Sequence, residues 1–189
     1  MKRKHFLSSF IPLAATFGAV ASGKTSFDGD SPVVKPPYLK AGDTVGICCP
    51  AGFITIEDIQ PALLKLKEWG FTARIGETIS KKDFTFGGTD DERLNDLQQM
   101  LDDKSIKAIL FARGGYGGVR IIDRLNFKKF DRDPKWIIGF SDATVFHSHI
   151  NVKYRVATIH SKMCNSFPND WNTAEPVQKE TIESINKCL

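Results

Sequence analysis

The sequence predicts an α/β fold in which a mostly parallel sheet is covered by helices on both faces. Short apolar runs alternate along the chain with segments whose apolar residues recur at helical spacing, the pattern of repeated strand-helix units. The runs are apolar throughout instead of alternating with polar residues, as expected for strands buried on both sides. With 189 residues, 41% hydrophobic and 25% charged, the chain has room for one domain with a sizeable core.

The first residues stand apart from that domain. Lys2, Arg3 and Lys4 precede an apolar run from Phe6 to Ala21, and Ala19-Val20-Ala21 offers a small-x-small cleavage site. Residues 1–21 therefore read as a secretory signal peptide. Ser8, Ser9 and Pro12 leave the run too short and too interrupted for a stable membrane span. The expected destination is the periplasm of a bacterium, with an uncleaved amphipathic anchor as the alternative. Arg3-Lys4-His5-Phe6-Leu7 is one residue from a twin-arginine pattern, and no Cys near the cleavage site supports a lipid anchor.

Export changes how the charge is read. The net charge of +4 comes from 26 Lys+Arg against 22 Asp+Glu; without Lys2, Arg3 and Lys4 it is 23 against 22. A nearly neutral mature chain with no Lys/Arg cluster excludes a phosphate-tracking surface, so no nucleic-acid partner is expected.

Residues 22–34 are rich in Gly, Ser and Asp and read as a linker. After the turn from Lys35 to Asp43, Thr44 to Cys49 is the first buried strand, stopped by Pro50. Ile56, Ile59, Leu63 and Leu66 mark a helix ended by Gly70, and Phe71 to Ile75 is a second strand. Thr89-Asp90-Asp91-Glu92 is a capping box, Thr-x-x-Glu, opening a helix with Leu94, Leu97 and Leu101 on its buried face. Ile106 to Ala112 is the third strand, followed by a glycine-rich turn and a short helical segment from Val119 to Leu125.

Beyond the turn at Asp133-Pro134, Trp136-Ile137-Ile138-Gly139-Phe140-Ser141-Asp142-Ala143-Thr144 reads as strand, sharp turn and helix, the helix running to about Asn151. A last strand spans Val156 to Ile159 and delivers His160 to the same sheet end as Ser141. Pro176 begins a final helix with Val177, Ile182 and Ile185 as apolar positions.

Three loops then fall at one carboxyl edge of the sheet: Pro50-Ala51-Gly52, Arg113 to Gly118, and Gly139 to Asp142. That edge is where open α/β folds carry their sites. Ser141 sits where a nucleophile elbow would lift its hydroxyl clear of the sheet, with the next helix's amides aimed at it. The match to G-x-S-x-G is partial because Ala143 replaces the last Gly, and a Ser-Asp pair also suits an ordinary helix N-cap. Arg113-Gly114-Gly115-Tyr116-Gly117-Gly118 lets backbone N–H groups converge on an anion or a developing oxyanion. It lacks the spacings of dinucleotide and Walker loops, so a nucleotide is not the first expectation.

The four cysteines, Cys48, Cys49, Cys164 and Cys188, carry no metal spacing such as C-x-x-C. Cys48 and Cys49 read as small apolar strand residues, and a Cys164–Cys188 bridge stays open.

Five motifs in order, Lys35-Pro36-Pro37 with Leu39-Lys40-x-Gly42-Asp43, Pro50-Ala51-Gly52, Gly88-Thr89-Asp90, Ala112 to Gly117 and Ile138 to Asp142, resemble the N-terminal domain of the LD-carboxypeptidases. These are muramoyltetrapeptide carboxypeptidases of serine peptidase family S66, and the resemblance runs over residues 35–171. It implies a three-layer domain, flavodoxin-like or like the class I glutamine amidotransferases, with residues 172–189 starting a connection to a C-terminal domain missing from this sequence. It implies that Ser141 is the nucleophile releasing the terminal D-alanine of a murein tetrapeptide or muropeptide, with oxyanion-hole amides at Gly115 and Asp142.

Arg113, Tyr116 and His160 are the expected substrate-binding residues, Arg113 as a partner for a carboxylate or as a member of a structural ion pair. No metal or cofactor is implied, and a homodimer is left open. The family's triad His and Glu lie in the C-terminal domain, so the chain as written is expected to be incomplete or inactive. His160 stands before Ser161-Lys162 where the family has a His-Gly-Pro-like context, and His147 and His149 read as packing or solvent residues. The alternatives are a catalytically dead muropeptide-binding module, a related S66 peptidase cleaving an antibiotic-like peptide conjugate, and a flavodoxin-like phosphate or nucleotide binder.

Overall fold

The computed structural model describes residues 32–189; the expected signal peptide and most of the linker lie outside the described residues. Five strands form one parallel sheet: β1 (Thr44–Cys48), β2 (Thr72–Ile75), β3 (Ile106–Phe111), β4 (Trp136–Gly139) and β5 (Ile159–His160). Their order is β2-β1-β3-β4-β5, and every neighbouring pair is parallel. The order reverses between β1 and β3, so a crevice is expected beyond the carboxyl ends of those two strands.

Each strand divides its residues between two apolar layers, as the two-residue period of a pleated strand requires. On one face Cys48, Ile109, Phe111 and Ile137 pack against α2 (Asp90–Asp102), α3 (Gly118–Ile121), α4 (Lys128–Arg132) and α5 (Thr144–Tyr154), through Leu97, Ile121, Phe130 and Phe146 among others. On the other, Val45, Ile47, Leu110 and Ile138 pack against α1 (Gln60–Glu68) and α6 (Pro176–Cys188) through Leu66, Ile182 and Ile185. The three-layer expectation is met. α6, expected as the start of a connection, supplies part of the second layer, and Leu39 N–H donates to the Leu189 carbonyl at 2.6 Å.

Several elements differ from the sequence reading. The last strand is two residues long and ends on His160; Val156 instead forms an isolated bridge with Val34, the final residue of the segment read as linker. The five-residue α4 has too little periodicity to be recognised, yet Phe130 anchors it at 0% exposure. Val177 is exposed, and Arg93 and Asp96 are buried where an amphipathic pattern would place polar residues outside. Cys48, Cys49 and Cys164 are buried free thiols and Cys188 is an exposed one, so no Cys164–Cys188 bridge forms. Burial pushes the Cys48 and Cys164 thiols up and Cys49 up to about 12, which keeps all three protonated.

Asp96 explains its own burial. Its carboxylate accepts from the Glu77 and Thr78 N–H groups and from the Thr78 hydroxyl, and Thr78 Oγ1 accepts from Cys49 N–H at 2.8 Å. The turn after β2, the end of β1 and α2 are thereby joined through one carboxylate. Gly76 is required beside it, since a Cβ there would collide with the Asp96 carboxylate. Asp96→Ala leaves two backbone donors unpaired in the interior and should lower stability by about 3 kcal/mol in chemical denaturation, with Asp96→Asn costing less.

Candidate active site

The strand β4 enters the site fully buried and ends at Gly139, whose carbonyl accepts from Ser161 N–H at 3.0 Å and from His147 Nε2 at 2.9 Å. A carbonyl can only accept, so His147 carries its proton on Nε2. The end of the strand is thus pinned from β5 and from one turn into α5.

Two residues later Ser141 has φ +59°, a left-handed backbone that a non-glycine residue adopts at a cost of about 1–2 kcal/mol. This conformation bears on the two readings of the Ser-Asp pair. An N-cap residue is extended and its side chain accepts an amide, whereas Ser141 has a positive φ and lies inside the short turn, whose cap position is taken by Phe140. Its side chain is exposed at the start of a short 3-10 turn leading into α5. Strain of this kind is a feature of nucleophile elbows. The missing fifth-position glycine has a simple account. A Cβ at Gly139 would lie 2.9 Å from Ala143 Cβ, so the bare glycine leaves room for the alanine.

The glycine loop approaches the elbow directly. A Cβ on Gly114 would meet Ser141 Cβ at 3.2 Å and Oγ at 3.3 Å, a tight contact that the bare glycine avoids. The Gly114 carbonyl accepts from Gly52 N–H at 2.9 Å. Because a trans peptide directs its C=O and N–H oppositely, the Gly115 N–H faces away from Gly52. Neither Gly115 N–H nor Asp142 N–H makes a hydrogen bond among the described residues. The Asp142 side chain accepts instead from Gly118 N–H at 2.7 Å, tying the elbow to the start of α3.

Arg93, which the sequence reading passed over, holds the arrangement from beneath. It is 0% exposed, and its guanidinium donates to Pro50 O at 2.6 Å, Gly117 O at 3.1 Å and Gly88 O at 3.2 Å. An ion pair with Asp90 and the Phe86 ring, 4.8 Å from Cζ, complete its surroundings. The peptide unit between Gly117 and Gly118 is gripped on its carbonyl by Arg93 and on its N–H by Asp142. Desolvation pulls the guanidinium below its ordinary value, and Asp90 pulls it back up. A sequence signal existed only in the Gly-Thr-Asp motif that precedes Arg93 on the capping box.

The other expected residues distribute as follows. Arg113 and Tyr116 are exposed beside Gly115, and Arg113 Nη1 donates to Phe53 O at 2.9 Å and makes no ion pair among the described residues. His160 is exposed and pairs with Gly139 in the sheet register; its ring centroid lies 6.0 Å from that of buried His147. Among the described residues no hydrogen bond reaches the Ser141 hydroxyl, and no cluster of His, Cys, Asp or Glu could hold a metal ion.

Comparison with known proteins joins this geometry to a family. The LD-carboxypeptidase N-terminal domain, peptidase family S66, matches residues 45–161. The chain belongs to the LD-carboxypeptidase family. A probable murein peptide carboxypeptidase of Bacillus subtilis (strain 168) is 36% identical over 132 residues, covering 70% of this chain and 41% of that protein. The murein tetrapeptide carboxypeptidase of Pseudomonas aeruginosa is 26% identical over 142 residues, 75% of this chain and 46% of the relative. Among solved structures, the microcin C7 self-immunity protein MccF in complex with aspartyl sulfamoyl adenosine superposes with a TM-score of 0.72 at 26% identity, covering 82% of this chain and 46% of that one. The chain spans less than half the length of these relatives.

Two outcomes follow from the site's supports. Arg93→Met leaves three carbonyls without their donor and Asp90 without its buried cation. It should cost about 3–5 kcal/mol in denaturant unfolding, with Arg93→Lys recovering only part. Burial holds the His147 pKa below its ordinary value, so the unfolded chain binds a proton first as pH falls below about 6.5. Stability is therefore present above that pH and lost on acidification. Melting temperatures at pH 7.5 and 5.5 should differ more for the native chain than for His147→Gln.

Proposed function

We propose that this chain is the nucleophile-bearing part of a serine carboxypeptidase that releases the terminal D-alanine from murein tetrapeptides. The left-handed backbone at Ser141 is the observation that carries the reading, because a helix cap has no use for that strain. The Ser141 hydroxyl attacks the carbonyl of the bond preceding the last residue. Its proton passes to a base, and the tetrahedral oxyanion is met by the unpartnered N–H groups of Gly115 and Asp142. Collapse expels D-alanine, which takes the proton back from the base, and water then releases the shortened peptide from the serine ester.

No group among the described residues stands within hydrogen-bond reach of Ser141 to act as that base. The reading therefore assigns the His and Glu to the second domain of the family's architecture. His160 and Tyr116 line the site in this scheme, and the exposed Arg113 faces the substrate carboxylate. The basic leader and apolar run of residues 1–21 support export to the periplasm, where murein peptides occur, and leave a homodimer open.

A second reading has its own support. MccF, solved in complex with glutamyl sulfamoyl guanosine and aspartyl sulfamoyl adenosine, superposes with TM-scores of 0.73 and 0.72, so an antibiotic-like peptide conjugate is the alternative substrate. D-alanine release from a murein tetrapeptide by the exported native gene product should fall to background in Ser141→Ala while the circular dichroism spectrum is unchanged. Retained release in that variant would remove Ser141 from its role; release of the amino acid only from a sulfamoyl-nucleoside conjugate would favour the second reading.

A further inference from the structure

The two amides that the proposed mechanism uses belong to different loops, Gly115 after β3 and Asp142 after β4, and their spacing has to be held. At one end of the glycine loop the Gly114 carbonyl accepts from Gly52 N–H at 2.9 Å. At the other end the Gly117 carbonyl accepts from Arg93 Nη1 at 3.1 Å. Those contacts tie the loop to the end of β1 and to α2, and neither reaches the elbow. The link that does is a side chain: Asp142 Oδ2 accepts from Gly118 N–H at 2.7 Å. Among the described residues no other hydrogen bond joins Gly114–Gly118 to Ser141–Ala143.

The surroundings are shaped for that one contact. A Cβ on Gly118 would lie 2.9 Å from Asp142 Oδ2 and 2.7 Å from Phe146 Cε2, so the bare glycine is what admits the carboxylate to the backbone. A Cβ on Gly117 would collide with the Arg93 guanidinium on the opposite side of the same peptide. Gly115 has φ +117° and Gly117 φ +145°, so the stretch between the two held ends is built on residues with wide backbone freedom. Tyr116 between them adds little restraint, since its exposed side chain meets only the Phe86 ring, 6.3 Å between centroids. The position of Gly115 N–H relative to the elbow therefore depends on the clamp at Gly118.

From this arrangement we infer that the Asp142 side chain is a positioning residue for the oxyanion hole: its carboxylate, through Gly118, holds Gly115 N–H at a fixed distance from Asp142's own N–H. The inference rests on the carboxypeptidase reading and deepens it. Donors held in place before charge develops stabilise an oxyanion without reorganising, so slack between the two loops lowers the rate and leaves substrate binding in place. The carboxylate acts here as a hydrogen-bond acceptor and not as a charge. A negative group beside a developing oxyanion opposes it, and the Gly118 N–H together with the Arg93 guanidinium behind the same peptide offsets that repulsion. The plain structural account of the contact is a cap on the four-residue α3, which predicts lower stability and unchanged chemistry.

Two measurements separate these accounts. In the native gene product Asp142→Ala should lower kcat for D-alanine release about tenfold or more while KM moves by less than about twofold, the pattern of an interaction made in the transition state. Asp142→Asn, whose side-chain oxygen can still accept from Gly118 N–H, should recover most of that loss. The second measurement needs no turnover. In the isotope-labelled full chain the Gly115 amide resonance should shift or broaden in Asp142→Ala and return close to its native position in Asp142→Asn, with the circular dichroism spectrum unchanged in both. An unmoved Gly115 resonance, an unchanged kcat in Asp142→Ala, a loss that falls on KM, or no recovery in Asp142→Asn would overturn the inference. A resonance that responds as expected in a native gene product without D-alanine release would keep the clamp and sink the hydrolase reading, and Ser141-dependent release with an unmoved resonance would do the reverse.

Discussion

The buried guanidinium of Arg93 is the contact on which the carboxyl edge of the sheet depends. Three loops arrive there from separate places in the sequence, after β1, before α2 and after β3, and each ends with a backbone carbonyl aimed inward. Carbonyls of Pro50, Gly88 and Gly117 buried without a donor would each be costly, and one planar cation with five N–H groups satisfies all three while pairing with Asp90. Lysine offers a point charge without that planar fork, which is why the site calls for arginine. Asp90 in turn is shared with Arg120, so the ion pairs form a small network whose members hold one another in place.

From that anchor the geometry passes outward through short rigid steps. Arg93 fixes the Gly117 carbonyl, the same peptide's N–H belongs to Asp142, and Asp142 is the residue after Ser141. On the other side Gly52 fixes the Gly114 carbonyl, which turns the next N–H away from it. The two amides left without partners, at Gly115 and Asp142, are those whose neighbouring groups are most firmly held. Donors fixed before any charge develops need no reorganisation when it does, the condition under which backbone amides stabilise an oxyanion best.

Much of this could be read from the sequence, and the reasons why are physical. The strands are legible because burial on both faces demands uninterrupted apolar runs, and the capping box because Thr89 and Glu92 satisfy each other's backbone donors locally. The convergence of Pro50, Gly115 and Ser141 on one edge follows from parallel topology alone. What escaped were features set mainly by distant contacts. Arg93 and Asp96 sit on a helix whose pattern would place them in water, and carbonyls of Pro50 and Gly117, 43 and 24 residues from Arg93, and the turn after β2 beside Asp96 give them reason to be inside. The strain at Ser141 and the proton on His147 Nε2 likewise have no local signature, since both come from what the folded strand end must fit against.

The charge balance of the edge argues for the kind of substrate it meets. Arg93 and Arg120 are matched by Asp90, and Asp142 is committed to the Gly118 amide, so these groups leave little field in the crevice. Arg113 and Lys82 face an opening whose lining holds no carboxylate, and Arg113 also faces Asp58 across a second one. Their positive potential falls on the wall next to the glycine loop, and in the proposed function it would draw an anion toward Ser141. An edge that pairs both Arg93 and Arg120 with Asp90 neutralises its structural cations from within, and the cost of burying a guanidinium there is met by the same groups that hold the loops together.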